Sequence, residues 1–428
     1  MQASPGFRAG TEVLLPLPFR LTRPLPVYVT NWTGPDIASK GDTVYAIFKK
    51  IPYTTNPSYV VRSFDGGINF SSPVQIDFIA DSMSWLPTIG TDAIGNPLAA
   101  YMKLDSGMVN SRWVVAASTD FGNTFLTDVK ASGYSGAGEV CDCCPGTIVS
   151  SSNKMAMLYR DNLSNIRDIW TGISSDNGSS FPGGINIDQN NWVIPACPAS
   201  GPDGVIVDDT LYSVFMSGSS GKNLVYTNKN SLSAPASSNG NLITGNFTGL
   251  TQQNYPRIAN YNSAVAMVWK QATSSGSQLG LFFTTNIHNG FPIAYDTVSM
   301  GNLNSVINAD VAVFNGSIHI LWQDNVSGTV KYRKGTFSPS SVLLNSGSTY
   351  SIPIIYPNPT SGVFQIAGDE LRITNVSIYN LPGEEIYRSS VISNRSSAVD
   401  ISSSPDGIYF VKMQTTEGVI AKKIIVQR

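Results

Sequence analysis

Four cysteines stand at two places in a chain of 428 residues. Cys141, Cys143 and Cys144 lie in GEVCDCCPGT, and Cys197 lies in PACPASGPDG. Such a cluster supports three chemistries. In an oxidising compartment cysteines pair, and a bridge from Cys197 to a member of CDCC, with or without a second bridge, would pin two segments together. Four thiolates without histidine could instead hold Cu(I) or Zn(II) tetrahedrally, the one cofactor the sequence suggests, with Glu139 and Asp142 alongside. A redox-active or nucleophilic thiol is the third. The two histidines, His288 and His319, leave little material for a His-rich metal site or a Ser-His-Asp triad.

The ionisable groups are equally sparse. Arg160 and Asp161 follow an apolar run in LYRDN, Arg167 and Asp168 follow in NIRDIW, and Arg257 stands in PRIA. Before residue 345 the glutamates are Glu12 and Glu139, with Tyr134 near the latter. Arg160, Arg257, Glu139 and Tyr134 are the catalytic candidates if the chain is an enzyme. Inter-blade ion pairs and loop hydrogen bonds are the structural use of Arg160, Arg167, Asp161 and Asp168.

What positions these residues is a repeat. SFDGGINF from Ser63, STDFGNTF from Ser118 and SSDNGSSF from Ser174 start 55 and 56 residues apart, with weaker copies at Thr227, Thr284 and Arg333. A second anchor recurs in phase: PDIA at Pro35, PTIG at Pro87, PGTI at Pro145, GPDG at Gly201, PRIA at Pro256 and ADVA at Ala309. After each anchor comes a short apolar run, such as VYAIFK at Val44, MAMLYR at Met155 or VAMVWK at Val265. Four short strands every ~50 residues make a propeller blade. Six anchors predict six blades over residues 1–345, closed by a strand from Val13 to Leu15 or from Val342 to Leu344. In each turn Ser63, Ser118 and Ser174 with Asp65, Asp120 and Asp176 would bond nearby amides, and Gly67, Gly122 and Gly178 would supply positive φ. The cysteine segments immediately precede the third and fourth anchors, so neighbouring first strands should bring them together near the central funnel.

These turns resemble the Asp boxes (BNR repeats) of sialidase-like six-bladed propellers. The resemblance implies a peripheral, structural place for the boxes. It further implies three arginines for a sugar carboxylate, a Tyr–Glu nucleophile and an Asp acid–base. The family's Arg-Ile-Pro motif is absent; the nearest text is FRLTRP around Arg20 and Arg23. A binding module is therefore expected, taking a glycan, polymer or surface protein on the funnel face through Trp85, Asp203 and Arg257. An exo-acting, sialidase-like glycoside hydrolase is the alternative, and a copper- or zinc-handling surface protein a second one.

After a polar linker, 346–353, the character changes. YPNPTSGVFQI from Tyr356, VSIYNLPGEEIY from Val376, PDGIYFVKM from Pro405 and the terminal KKIIVQR follow in order. This series resembles the type A sorting domain of type IX secretion in Bacteroidetes-type exported proteins, here 354–428. Its motif residues are Pro357, Asn358, Pro359, Gly362, Gly383, Gly407, Tyr409 and Lys423. A seven-strand β-sandwich is the natural assembly of its alternating runs. The resemblance implies the outer-membrane translocon as partner, and a secreted or cell-surface location. MQASPGFRAG is not a signal peptide, so a leader is expected to have been removed. Charged residues are only 13%, about half the usual share, with a formal charge of −2. Nothing recommends a nucleic-acid groove, and no apolar stretch reaches the ~18 residues of a membrane span.

Overall fold

Six times between Asp36 and Thr336 the chain makes the same move, three or four antiparallel strands in succession, each paired to the last. The computed structural model describes residues 8–9, 13–14, 26–30, 33–77, 82–243, 249–274, 276–292, 294–299, 306–324, 326–337, 354–367, 373–380, 383–389, 397–415 and 418–428. The chain divides into two compact units, Met1–Ser340 and Ser341–Arg428.

In the first unit the first strands of the sheets are Asp36–Lys40, Ser82–Thr91, Thr147–Ser151, Asp203–Val207, Leu250–Tyr261 and Val306–Phe314. The second strands are Thr43–Lys49, Pro97–Asp105, Lys154–Arg160, Thr210–Ser217, Ala264–Thr273 and Ser317–Asp324. Each contains the apolar run that follows an anchor. Most of these strands are buried on both faces because their sheet is packed against neighbours on either side; in Lys154–Arg160 every residue after Lys154 is buried, whereas Ser317–Asp324 alternates, with Leu321 exposed. The doubly buried ones therefore read as continuous apolar runs rather than alternations. Hydrophobic clusters span neighbouring sheets, as where Leu98, Met102 and Trp113 meet Ile148, Met155 and Phe181. The fold is a β-propeller.

The sixth sheet takes its outer strands from the other end of the chain. Arg8–Ala9 pairs with Thr336 and Gly335, and Val13–Leu14 pairs with Tyr332 and Lys331. The other closing strand considered, Val342 to Leu344, lies outside the described residues, as do the linker 346–353 and Arg20 and Arg23.

The second unit is a two-sheet sandwich. One sheet has the order Ile354–Tyr356, Val363–Ala367, Ser397–Asp400, and the other Glu385–Ser389, Ile373–Asn380, Gly407–Thr415, Gly418–Val426. Here the strands alternate, as one face meets the core and one meets water. Tyr409, Val411 and Met413 are buried while Ile408 and Phe410 are exposed.

Candidate functional site

Because the six anchors repeat in phase, their first strands present one equivalent position each. Down that column stand Asp36, Thr88, Thr147, Asp203, Arg257 and Asp310. All six line a single cavity of about 330 Å³. The cavity sits at the small end of the ~300–1,000 Å³ usual for ligand pockets.

Some of the six tie neighbouring sheets together. Asp36 Oδ2 accepts hydrogen bonds from Thr88 Oγ1 (2.6 Å) and the Ile89 amide (3.0 Å) of the second sheet. Asp203 Oδ2 accepts from the Ile258 amide of the fifth sheet (3.0 Å), and its Oδ1 from Gly204 (2.9 Å). Thr147 Oγ1 donates to the Pro202 carbonyl (3.0 Å). The last two positions break the pattern. Asp310 Oδ1 accepts from its own neighbour Val311 (2.9 Å), leaving Oδ2 without a partner among the described residues. Arg257 has neither a hydrogen bond nor an ion pair among them, although Asp203 and Asp310 flank it in the column.

The backbone beneath three of the six is strained. The first strands of the second, fifth and sixth sheets each slip register just before the column position, between Trp85 and Thr88, Asn254 and Arg257, and Ile307 and Asp310. Two residues upstream of each, Leu86 (φ 50), Tyr255 (φ 52) and Asn308 (φ 50) adopt the left-handed conformation, and all three line the cavity. Leu and Tyr there cost on the order of 1–3 kcal/mol each, and such bulges re-aim side chains beside functional sites.

The charges in the cavity act on one another. Burial pushes the Asp203 carboxyl up to about 7 against the opposing pull of Arg257. Burial also raises Asp310, again opposed by Arg257. Its carboxyl faces the cavity. For Arg257, loss of water works against its charge, yet Asp203, Asp310 and Asp36 outweigh that and raise its pKa.

Of the sequence candidates, Asp203 and Arg257 belong to the cavity. Arg160 does not: it is fully buried and donates to the Ser200, Arg167 and Met216 carbonyls, with Trp192 stacked on it. Tyr134 donates to the Phe181 carbonyl (2.9 Å), and exposed Glu139 accepts from the Asn110 amide. The four enzyme candidates are thus not brought together. Asp168 accepts from Asn186 and the Trp192 amide, so Arg160 and Asp168 make loop hydrogen bonds rather than ion pairs, whereas the Asp161 oxygens and Arg167 Nε and Nη1 are buried without a hydrogen-bond partner. Trp85 packs with Tyr28 and Tyr53. Asp36, Thr88, Thr147 and Asp310 were missed, although each is written in or beside an anchor; aligning the repeats as a column would have found them.

Cys143 and Cys197 form a disulfide with a Cα separation of 6.2 Å, leaving Cys141 and Cys144 as buried thiols. The bridge occupies two of the four sulfurs that a tetrahedral thiolate site would use. The residues immediately after the cluster, Pro145, Gly146 and Thr147, line the cavity.

The Ser-x-Asp-x-Gly turns lie at the far end of the same sheets, between third and fourth strands. In the first, Ser63 Oγ donates to Asp65 Oδ1 (2.6 Å) and accepts from Gly67 N (2.9 Å), and Asp65 accepts from the Ile68 and Asn69 amides. Ser118, Asp120 and Gly122 repeat this with Thr124, and Ser174, Asp176 and Gly178 with Ser180. The three glycines have φ of 88, 79 and 78°.

In the second unit Asn358, between Pro357 and Pro359, donates to the Lys423 carbonyl (3.0 Å) and accepts from the Ile425 amide (2.9 Å), clasping the last strand. Gly362 has φ 111°, and a Cβ there would lie 2.6 Å from Ser402 Cα. Gly383 turns one hairpin at φ 92°, Gly407 opens the Gly407–Thr415 strand, and Tyr409 donates to the Pro405 carbonyl (2.6 Å).

Residues 354–427 match the family described as secretion system C-terminal sorting domain. No curated protein matches the sequence. Among solved structures the chain is similar to a protein of unknown function from Dyadobacter fermentans DSM 18053, with 12% identity and a TM-score of 0.53 over 78% of this chain and 100% of that one. A Trypanosoma rangeli sialidase in complex with sialic acid is 10% identical (TM-score 0.45; 97% and 88% covered). A fucose-specific lectin from Aleuria aurantia is 9% identical (TM-score 0.40; 73% and 96%). The first shares the fold; the other two are too distant to inform the function. The chain carries a type IX secretion sorting domain and is therefore exported, to the medium or the cell surface. No helix among the described residues is long and apolar enough to cross a membrane.

Proposed function

We propose that the exported protein binds the end of a glycan chain in the cavity of the propeller. One observation carries this reading: Arg257 and Asp310, adjacent in the column, offer an unpaired guanidinium fork and an unpaired carboxylate oxygen to the same small space. A fixed donor fork beside an acceptor suits neighbouring sugar hydroxyls, each of which can accept from one and donate to the other. Strain at Leu86, Tyr255 and Asn308 is the cost of holding that arrangement before a ligand arrives. A glycan array probed with the full chain, followed by titration calorimetry, tests it. Binding to one class of terminal sugar, lost in Asp310→Asn with melting temperature retained and lost in Arg257→Met at pH 5, where that variant keeps most of its stability, is expected. A ligand held equally by both variants would place the site elsewhere.

A hydrolytic reading has its own support. Asp203, at about 7, holds a proton near neutrality beside a second carboxyl, Asp310, and a pair of carboxyls is what a glycoside hydrolase works with. The cavity offers one arginine among its described lining residues, where a sialidase would need three, so neutral exo-linked sugars are the better substrates to try. Turnover of a chromogenic glycoside panel, lost in Asp203→Asn, would favour hydrolysis over binding.

A further inference from the structure

We propose that the cysteine cluster is an internal disulfide relay, in which the Cys141 thiolate attacks Cys143 Sγ and expels Cys197. The geometry is already assembled. Cys141 Sγ lies 3.7 Å from Cys143 Sγ, and the sulfurs of Cys141, Cys143 and Cys144 all lie within 4.8 Å of one another. The attacking thiol is buried, while the sulfur it would expel belongs to an exposed residue. The charge of buried Arg167 acts on Cys141, and Arg167 Nε and Nη1 have no hydrogen-bond partner, so a thiolate would form beside a cation whose donors are unsatisfied. The thiol itself is drawn down to about 7 by the hydrogen bond from Cys144 and, against burial, by Arg160 and Arg167; burial holds Cys144 well above its ordinary value.

The first exchange makes a Cys141–Cys143 bond and breaks Cys143–Cys197. The Cys141 proton goes to water, and Cys197 leaves as a thiolate that takes one up at the surface. A second exchange, Cys144 on Cys141, makes Cys141–Cys144 and frees Cys143 as a thiol. No electrons enter or leave; one disulfide moves from the surface to the interior. The bridge ties the 139–146 loop to the connection between Gly183–Asn186 and Asp203–Val207, so its transfer unpins a loop that abuts Pro145 at the cavity wall. What the relay presents outside is a single reactive thiol, suited to exchange with a partner disulfide of the cell surface.

Trypsin separates the participants, with Cys141, Cys143 and Cys144 in peptide 131–154 and Cys197 in 168–222. The full chain, purified without reductant, is incubated natively with iodoacetamide at pH 8, digested and mapped without reduction. Progressive alkylation of Cys197, with an internal disulfide appearing in 131–154, is expected. In Cys141→Ala the alkylation of Cys197 should slow by at least about tenfold, with the 131–154 to 168–222 crosslink kept. If that variant does not fold, the wild-type map still decides. Cys197 remaining crosslinked throughout, or Cys141 and Cys144 already joined at the start, overturns the relay.

Discussion

The aspartates of the first unit fall into two sets that share a side chain and differ in everything around it. Asp65, Asp120 and Asp176 sit in outer turns, each holding several hydrogen bonds from its own loop, and their carboxyls are held low. Asp65 is drawn to about 2 by the Asn69 amide first and then by Ser63 and Asn69 side chains. Asp120 also falls to about 2, its slight burial outweighed by Thr124 and Ser118. Asp203 and Asp310, facing the cavity, are pushed the other way by burial. A carboxylate whose lone pairs are filled locally is a piece of turn architecture, whereas one kept from water and incompletely paired is available for chemistry. The repeat supplies both from one template.

The largest effect that would sharpen the contrast comes from Arg257, the cation that lets the inner set coexist. Arg257→Met leaves Asp36, Asp203 and Asp310 facing one cavity without a counter-charge. Unfolding followed by denaturant at pH 8 should show a loss of about 3 kcal/mol, the scale for stranding one partner of a buried charge group. Much of that should return at pH 5, where the carboxyls take up protons. A variant as stable as the parent at both values would mean that Arg257 does not govern the inner set.

Next in size is the pH dependence of Asp203. Its folded pKa, about 7, lies above the ~3.9 of an unfolded aspartate, so the folded state binds the extra proton between those values. Stability from this group is full below about 4 and is lost as pH rises through about 7. Asp203→Asn should flatten that slope when melting temperature is followed from pH 4 to 8. An unchanged slope would show that another group titrates.

How much of this contrast is legible in the sequence depends on the level. The period, the buried second strands and the alternating runs of the second unit are written as apolar patterns, because burial on two faces or one dictates them. The outer aspartates are legible too, since Ser63, Asp65 and Gly67 act within five residues of one another. The inner set is only partly so. Asp203 and Arg257 are visible in their anchors, but the partnerless state of Arg257 depends on what five other sheets place opposite it. Leu86 and Tyr255 give no warning of positive φ, since neither residue favours it; tertiary packing imposes it. Arg160 looks catalytic in LYRDN because a sequence does not show that three carbonyls converge on its guanidinium. Four cysteines allow three full pairings, and nothing in CDCC selects Cys143 as the partner of Cys197.

The smallest effect tests the outer set alone. Asp65→Ala removes the acceptor for the Ile68 and Asn69 amides, yet this turn is exposed and those amides can turn to water. The melting temperature should fall by only a few degrees, and ligand affinity should be untouched. The pH signature should be opposite to that of Asp203. Because the folded pKa of Asp65 is depressed, its contribution is present above the ~3.9 of the unfolded chain and fades as pH falls through about 2. The gap in melting temperature between parent and Asp65→Ala should therefore be constant from pH 8 to 5 and close in acid. If it instead widened in acid, or if ligand binding weakened with it, the outer turns would be coupled to the cavity and the two sets would not be separable.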